Sequence, residues 1–254
     1  MWKRVKTNSN QKSELVLNAD CHRTNKPFMT DPVSTASGSH RLIGLEELPL
    51  KRSTRAQLRV WLDKLKAVCG DRNILRFPSS EAYEAFDQEG IELWKKVRQE
   101  LASQYDVFYY STRLVGLFKY PDAPIVKRIR LGAEYSCWAT WYVDDVGDFN
   151  PVKLPISQET LERLNKWQDV FDDTLDHDYP PDSRFPSEEA AKTWSREGIR
   201  LWVQLQRELG AEYEVLKRIY HQEKTQLMKL DDWIDAFRRQ YQQDDIDNAS
   251  QQLL

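Results

Sequence analysis

The chain contains only three cysteines and four histidines in 254 residues, and that scarcity removes whole classes of chemistry. Cys21, Cys69 and Cys137 are widely spaced and odd in number, which argues against a disulfide framework and fits a reducing compartment. Cys21 and His22 are adjacent rather than spaced as zinc ligands, and no second cysteine-rich cluster accompanies them. No glycine-rich phosphate loop, no Gly-x-Ser-x-Gly elbow and no Ser/His/Asp set can be assembled. The longest apolar runs are a few residues, whereas a bilayer span takes roughly 20. The basic N-terminus also lacks the apolar stretch of a signal peptide. A net charge of −3 leaves no global basic excess for nucleic acid. These absences predict a soluble cytoplasmic protein with no catalytic residue, no cofactor, no metal site and no membrane association.

What the chain does have is aromatic residues and a repeat. Nine Trp, eleven Tyr and nine Phe supply enough large apolar surface for a real core despite a strongly negative mean hydropathy. Residues 77–107 and 185–215 align at a fixed offset of 108 with 14 of 31 positions identical. The identities include Phe77-Pro78, Glu89-Gly90-Ile91, Leu93-Trp94, Glu100-Leu101, Tyr105 and Val107. The likeness extends upstream at offset 106, where Leu48-Pro49, Leu58 and Trp61 match Leu154-Pro155, Leu164 and Trp167. The two-residue step falls in the loop before Phe185-Pro186, and loops absorb length changes that helices cannot. A repeat of this length is a duplicated small domain rather than a solenoid unit.

Each copy reads as two helices followed by a strand. Leu58, Trp61, Leu62 and Leu65 form a helical apolar stripe over Ser53–Val68, matched by Leu164, Trp167, Phe171 and Leu175 over Ser157–Thr174. Ser79 and Ser187 are N-cap signals for the second helix of each copy. A glycine in mid-helix costs ~1 kcal/mol relative to alanine, so the recurrence of Gly90 and Gly198 predicts that another backbone passes close by. Tyr105–Ser111 and Tyr213–Tyr220 read as strands, as do 113–120, 125–131 and 135–143. The expected fold class is α+β: a tandem duplication of a small module with two helices packed on a short, mostly antiparallel sheet. The expected boundaries are a flexible leader over 1–40, a first module over 41–120 and a connecting strand segment over 121–134. A second module over 135–222 and a C-terminal helix and tail over 223–254 complete the chain. Ser13–Asn18 is the candidate leading strand of the first module, and 135–143 that of the second.

Charge separates the copies. Residues 48–107 carry eleven Lys/Arg against nine Asp/Glu, whereas residues 154–215 carry seven against fourteen. Asp169, Asp172, Asp173, Asp176, Asp178 and Asp182 are concentrated on the first helix and following loop of the second copy. Such a face suits a basic protein partner through electrostatic steering. Tyr109, Tyr110, Trp138, Trp141 and Tyr142 stand consecutively or nearly so on strands whose faces alternate, so some should be exposed or covered by a partner. Trp138 and Trp141 join the acidic residues as candidate partner-binding positions. Two other readings stay open. Glu89, Glu197 or Asp176-His177-Asp178 would serve a metal-dependent hydrolase or nuclease. Arg52, Arg55 and Arg59 would serve a nucleic-acid-binding regulator.

The second copy also shows Cys137-Trp138, the acidic turn at Asp144-Asp145, Leu154-Pro155-Ile156-Ser157, Trp167, Pro180-Pro181-Asp182-Ser183, Phe185-Pro186 and Glu197-Gly198-Ile199. In this pattern it resembles small bacterial proteins that include the immunity proteins of polymorphic and contact-dependent toxin systems. The resemblance is close over about a third of the chain and extends more weakly through the first copy. There Pro-Pro-Asp-Ser is missing and the acidic helix is basic. It implies a non-enzymatic immunity or antitoxin protein that occludes a toxin-like protein partner, with that role on the second module. The oligomeric state is left open.

Overall fold

The computed structural model describes residues 12–21, 24–30, 41–70, 75–221 and 224–239. The chain divides into two units, Met1–Ile125 and Val126–Leu254. The first contains β1 (Ser13–Asn18), β2 (Phe28–Thr30), β3 (Leu42–Ile43), α1 (Arg52–Val68), α2 (Ser80–Leu101), β4 (Tyr105–Ser111) and β5 (Gly116–Phe118). The second repeats the series as β6 (Lys127–Leu131), β7 (Thr140–Tyr142), β8 (Asp148–Phe149), α3 (Gln158–Asp172), α4 (Glu188–Leu209), β9 (Tyr213–His221) and β10 (Lys224–Lys229). Residues 230–239 add a helix, α5, within the expected C-terminal helix. The sheets run β3-β2-β1-β4-β5 and β10-β9-β6-β7-β8, so one topology is used twice. Each sheet is α+β and mixed: the central pair, β1–β4 or β6–β9, is parallel and every other pairing is antiparallel.

Three expected boundaries move. β10 lies in the stretch read as C-terminal helix and tail, yet it is an edge strand of the second sheet. β1 and β2 lie inside the stretch read as a leader, and the rest of that stretch contributes no described element before residue 41. The strand that leads the second unit is β6, inside the stretch read as a connection; residues 135–143 supply only β7. β6 was easy to underrate because Arg128 and Arg130 alternate with Ile129 and Leu131. The charged half is accommodated because Arg128 is buried against Asp144, its Nε donating to Oδ2 at 2.8 Å and its Nη2 to Oδ1.

The recurring residues hold the fold. Trp94 and Trp202 are fully buried, and their indole N–H groups donate to the carbonyls of Val107 and Val215 at 2.8 and 2.7 Å. Each bond ties the second helix of a unit to the strand that follows it. Trp61 and Trp167 donate to the carbonyls of Phe86 and Trp194 at 3.0 Å, tying the two helices together. The close neighbour at each mid-helix glycine is that indole ring and not a backbone. A Cβ on Gly90 would sit 2.6 Å from Trp61 Cζ2 and 2.6 Å from the Tyr109 hydroxyl, and one on Gly198 would sit 2.9 Å from Trp167 Cζ2. A rigid ring cannot yield as a flexible chain can, so glycine is kept against its helix-propensity cost.

Tyr109 and Tyr110 are both buried, on opposite faces of the sheet. Tyr109 joins the helix-covered core, while Tyr110 and Phe108 form a second apolar cluster with Val16, Met29 and Leu117. Burial on both faces is what a central parallel strand pair requires. The Tyr109 hydroxyl and Ser111 Oγ donate to buried Asp87 at 2.8 and 2.9 Å, and Arg113 Nε approaches it at 3.3 Å. Burial, and then the Asp87 charge, raise the Tyr109 hydroxyl well above the ordinary tyrosine value.

The reading against a disulfide is also corrected. Cys21 and Cys69 are joined by a disulfide with a Cα–Cα distance of 6.0 Å, and Cys137 is free. Linear spacing concealed the pair, because only the fold brings the loop after β1 to the end of α1. The second unit fastens the same junction without sulfur. Tyr135, after β6, stacks on Phe171 at 4.6 Å and its hydroxyl meets Thr174 Oγ1 at 2.9 Å.

A second internal signature is a carboxylate that caps the first helix of each unit from the second helix. Glu100 accepts from the Lys51 N–H at 2.8 Å and from Thr54 Oγ1 at 2.7 Å. Glu208 accepts from the Ser157 N–H at 2.7 Å and from Thr160 Oγ1 at 2.6 Å, with Gln204 Nε2 also at 2.6 Å. Burial alone would raise the Glu208 carboxyl. The donors outweigh it and hold the group at about 2, against an ordinary value of 4.5. A depressed folded-state value contributes stability above the unfolded-state value, and that stability is lost as pH falls toward the folded one. The full linkage would be about 3 kcal/mol, and solvent screening of this half-buried group reduces it to about 1–2 kcal/mol. Glu208→Gln should therefore lower unfolding stability by about 1–2 kcal/mol at pH 7, with the difference from the parent shrinking between pH 4.5 and 2. Urea titrations across that range measure it; a gap that stays constant with pH would contradict the capping role.

Candidate partner-binding site

The acidic residues of the second unit collect where α3 ends. Asp169 and Asp173 are exposed, and Asp172 is half-buried between them. Asp176, Asp178 and Asp182 follow in the loop and the 3-10 turn Pro180–Asp182. Asp176 Oδ1 accepts from the backbone N–H groups of Asp178 and Tyr179, both at 2.9 Å. These two backbone bonds hold its carboxyl below the ordinary aspartate value. The loop is thereby shaped by its own first aspartate, with Tyr179 at its tip 59% exposed.

The structure brings Trp138 toward this helix end. The loop after β6 is fastened to α3 by three hydrogen bonds: Ser136 N–H to Asp172 Oδ1 at 3.0 Å, Gln168 Nε2 to the Glu134 carbonyl at 2.9 Å, and the Tyr135–Thr174 contact. Ser136 has a left-handed backbone, φ 60°, which a non-glycine residue adopts only under external constraint. Two residues on, Trp138 is 43% exposed, its own N–H held by Asp148 Oδ2 at 2.6 Å. Trp141 stands differently. Its indole N–H donates to the Gly132 carbonyl at 2.8 Å and the Arg130 guanidinium lies 4.6 Å from its ring centre, so its ring is already engaged within the unit.

Electrostatics set the two units apart more than composition does. Among the described residues, none of Asp169, Asp172, Asp173, Asp176, Asp178 and Asp182 forms an ion pair. In the first unit, by contrast, Arg55 and Arg59 are both paired with Glu46, Lys64 with Glu89, and Lys66 with Asp63. Arg55 also donates to the Leu48 and Leu50 carbonyls. The basic helix that would serve a nucleic-acid binder has most of its cations in ion pairs within the unit.

The two glutamates that recur beside glycine are occupied as well. Glu89 meets Lys64 Nζ at 2.7 and 2.9 Å. Glu197 meets Arg163 Nη2 at 2.6 Å and Arg200 at 3.6 Å. Each is an ion pair inside its own unit. Among the described residues no three His, Cys, Asp or Glu side chains converge as metal ligands, and no helix is long and apolar enough to cross a membrane. His22 lies outside the described residues.

Sequence reasoning missed Tyr179, Tyr135 and Gln168. Tyr179 stood in a stretch read for its charge alone. Gln168 takes the helix position that Leu62 holds in the first unit, and that polar replacement in an otherwise apolar stripe was the available signal.

The free thiol reports the local field. Burial first, and then the charges of Asp148, Glu134 and Asp172, raise the Cys137 thiol above its ordinary value of 9.0. Alkylation of Cys137 by a neutral maleimide at pH 7.5 should therefore be slower than that of a free cysteine peptide. It should speed up by about two- to threefold from low to high salt as the carboxylates are screened, and likewise in Asp172→Asn. A rate indifferent to salt and to that substitution would show that the acidic residues do not act together there.

No curated protein sequence matches the chain. The family model described as Serratia CdiI immunity protein-like matches residues 23–112 and again residues 127–223, one match for each unit. With the same topology twice, and both copies matched over most of their length, the chain belongs to the Serratia CdiI immunity protein-like family, as a tandem pair of its modules.

Proposed function

We propose that the protein is a non-enzymatic immunity factor that captures and occludes a basic toxin partner through the acidic end of α3, the loop that follows it and Trp138. The observation that carries this reading is the contrast in pairing. Among the described residues, six carboxylates of the second unit stand without an ion pair, while four cations of the first unit are paired with Glu46, Glu89 and Asp63. An uncompensated cluster projects a field that raises the encounter rate of an oppositely charged partner, and it loses little when it trades water for that partner's cations.

Energy must come from elsewhere, since exposed charge pairs contribute little each. Trp138 and Tyr179, 43% and 59% exposed, are the residue types that dominate interface energetics when a partner covers them. Their own backbone N–H groups are held by aspartate side chains, Trp138 by Asp148 and Tyr179 by Asp176, so little ordering cost falls on binding. Trp141, engaged by Gly132 and Arg130, is left with a secondary part in this surface. Family membership supports an immunity-type role at large; the choice of face rests on the charge and exposure just described. The cytoplasm expected from the composition suits such a role.

The test uses the toxin that co-purifies with the protein as a one-to-one complex. Reversing Asp172, Asp173, Asp176 and Asp178 to Lys should cut the association rate by about tenfold or more at low salt, with the gap narrowing as ionic strength rises. Trp138→Ala should act chiefly on dissociation, accelerating it by about tenfold or more. Stopped-flow association over a salt series measures both. Equal association rates for parent and reversed protein at every salt concentration would refute this face as the docking surface.

A further inference from the structure

We propose that the Cys21–Cys69 bond is a redox latch confined to the first unit, whose opening loosens the junction between the loop after β1 and the end of α1 without unfolding either element. The bond spans 48 residues of sequence, yet the elements it joins are held by other means. β1 is hydrogen-bonded on both edges, to β2 and to β4. α1 is anchored by Leu58, Trp61, Leu62 and Leu65, all buried, and by the indole bond of Trp61. The second unit shows that the same topology closes this junction with no sulfur at all, through Tyr135, Phe171 and Thr174.

What the bond adds is local. Among the described residues, Cys69 forms an isolated bridge with Leu75, and the Arg76 N–H donates to the Val68 carbonyl at 2.8 Å. Beside it lies a cleft of about 360 Å³. One wall is Thr24 and Asn25, just after Cys21; another is Leu62, Asp63 and Lys66, just before Cys69. Neither cysteine lines the cleft itself; the bond ties Cys21, three residues before Thr24, to Cys69, three residues after Lys66, so opening it relaxes the constraint between those two segments. Both cysteines are half-buried rather than enclosed, so a small thiol can reach the sulfurs.

The chemistry needs only a thiol–disulfide couple of the glutathione class. One thiolate attacks a sulfur of the bond and the other cysteine leaves as thiolate. A second thiol then resolves the mixed disulfide, so that the protein gains two protonated thiols and the reductant departs as its own disulfide. The bond is closed in the structure, so a reducing shift opens the latch and an oxidising one restores it. The latch belongs to the first unit and its test is independent of toxin capture, which is argued from the second.

Hydrogen exchange of the full chain, before and after reduction by a dithiol, provides the test, with free thiols counted in parallel. Reduction should raise the count from one to three. Exchange in peptides covering 62–70 should then quicken by about tenfold or more, with 133–138 and 168–175 unchanged. The Cys21→Ser/Cys69→Ser protein should show the fast pattern from the start and ignore the reductant. Three free thiols in the air-oxidised protein would overturn the proposal. So would unchanged exchange after reduction, or a loss of protection that spreads to β4 and makes the bond a staple of the whole unit.

Discussion

An indole laid across a glycine is the contact on which both units depend. Trp61 over Gly90 and Trp167 over Gly198 bring the two helices of a unit closer than any side chain at the glycine would permit. At that separation the indole N–H reaches a carbonyl of the facing helix. The helix pair then covers the central parallel strands, and Trp94 or Trp202 fastens the second helix to the strand behind it. Each recurring residue has one task in this chain of contacts. Removing a buried indole costs about 3–5 kcal/mol, a large part of the margin by which a domain this size is stable.

Above that scaffold the two copies have parted in their polar groups. The first unit sets Tyr109 and Ser111 against a buried carboxylate, Asp87. The repeat places Lys217 and Ser195 where Tyr109 and Asp87 stand. Lys217 instead lies 4.9 Å from the centre of the Trp167 ring. Burial, and then Arg130, lower its ammonium to about 8. A disulfide in one copy is a stacked tyrosine in the other, and ion-paired cations in one are, among the described residues, carboxylates without an ion pair in the other. Such exchanges leave the packing untouched, which is why duplication frees one copy to acquire a surface the other lacks.

The fold was legible in the sequence wherever apolar periodicity and repetition coincide. α1 to α4, β4 and the tandem α+β arrangement were all readable from Trp, Gly and Phe-Pro at fixed offsets. The shortest strands were not: β2, β3 and β8 are two or three residues long. β6 was legible as a strand, but its place as the leading strand of the second unit was not. The glycines were read as signs of close packing, but periodicity has no means of telling an approaching ring from an approaching backbone. At the site, the acidic residues and Trp138 were visible as types. Which of them stay unpaired depends on contacts between distant segments, such as Ser136 with Asp172. The pairing of Cys21 with Cys69 was hidden for the same reason.

The central claim is that recognition lies in the polar divergence of the second unit and not in the shared scaffold. A hydrogen-exchange footprint of the protein with its bound toxin tests this most directly. The account predicts new protection in peptides covering residues 133–138 and 168–182, with the corresponding helix of the first unit, residues 52–68, unchanged. Protection centred on residues 52–68, with the acidic end of α3 exchanging as it does in the free protein, would contradict it.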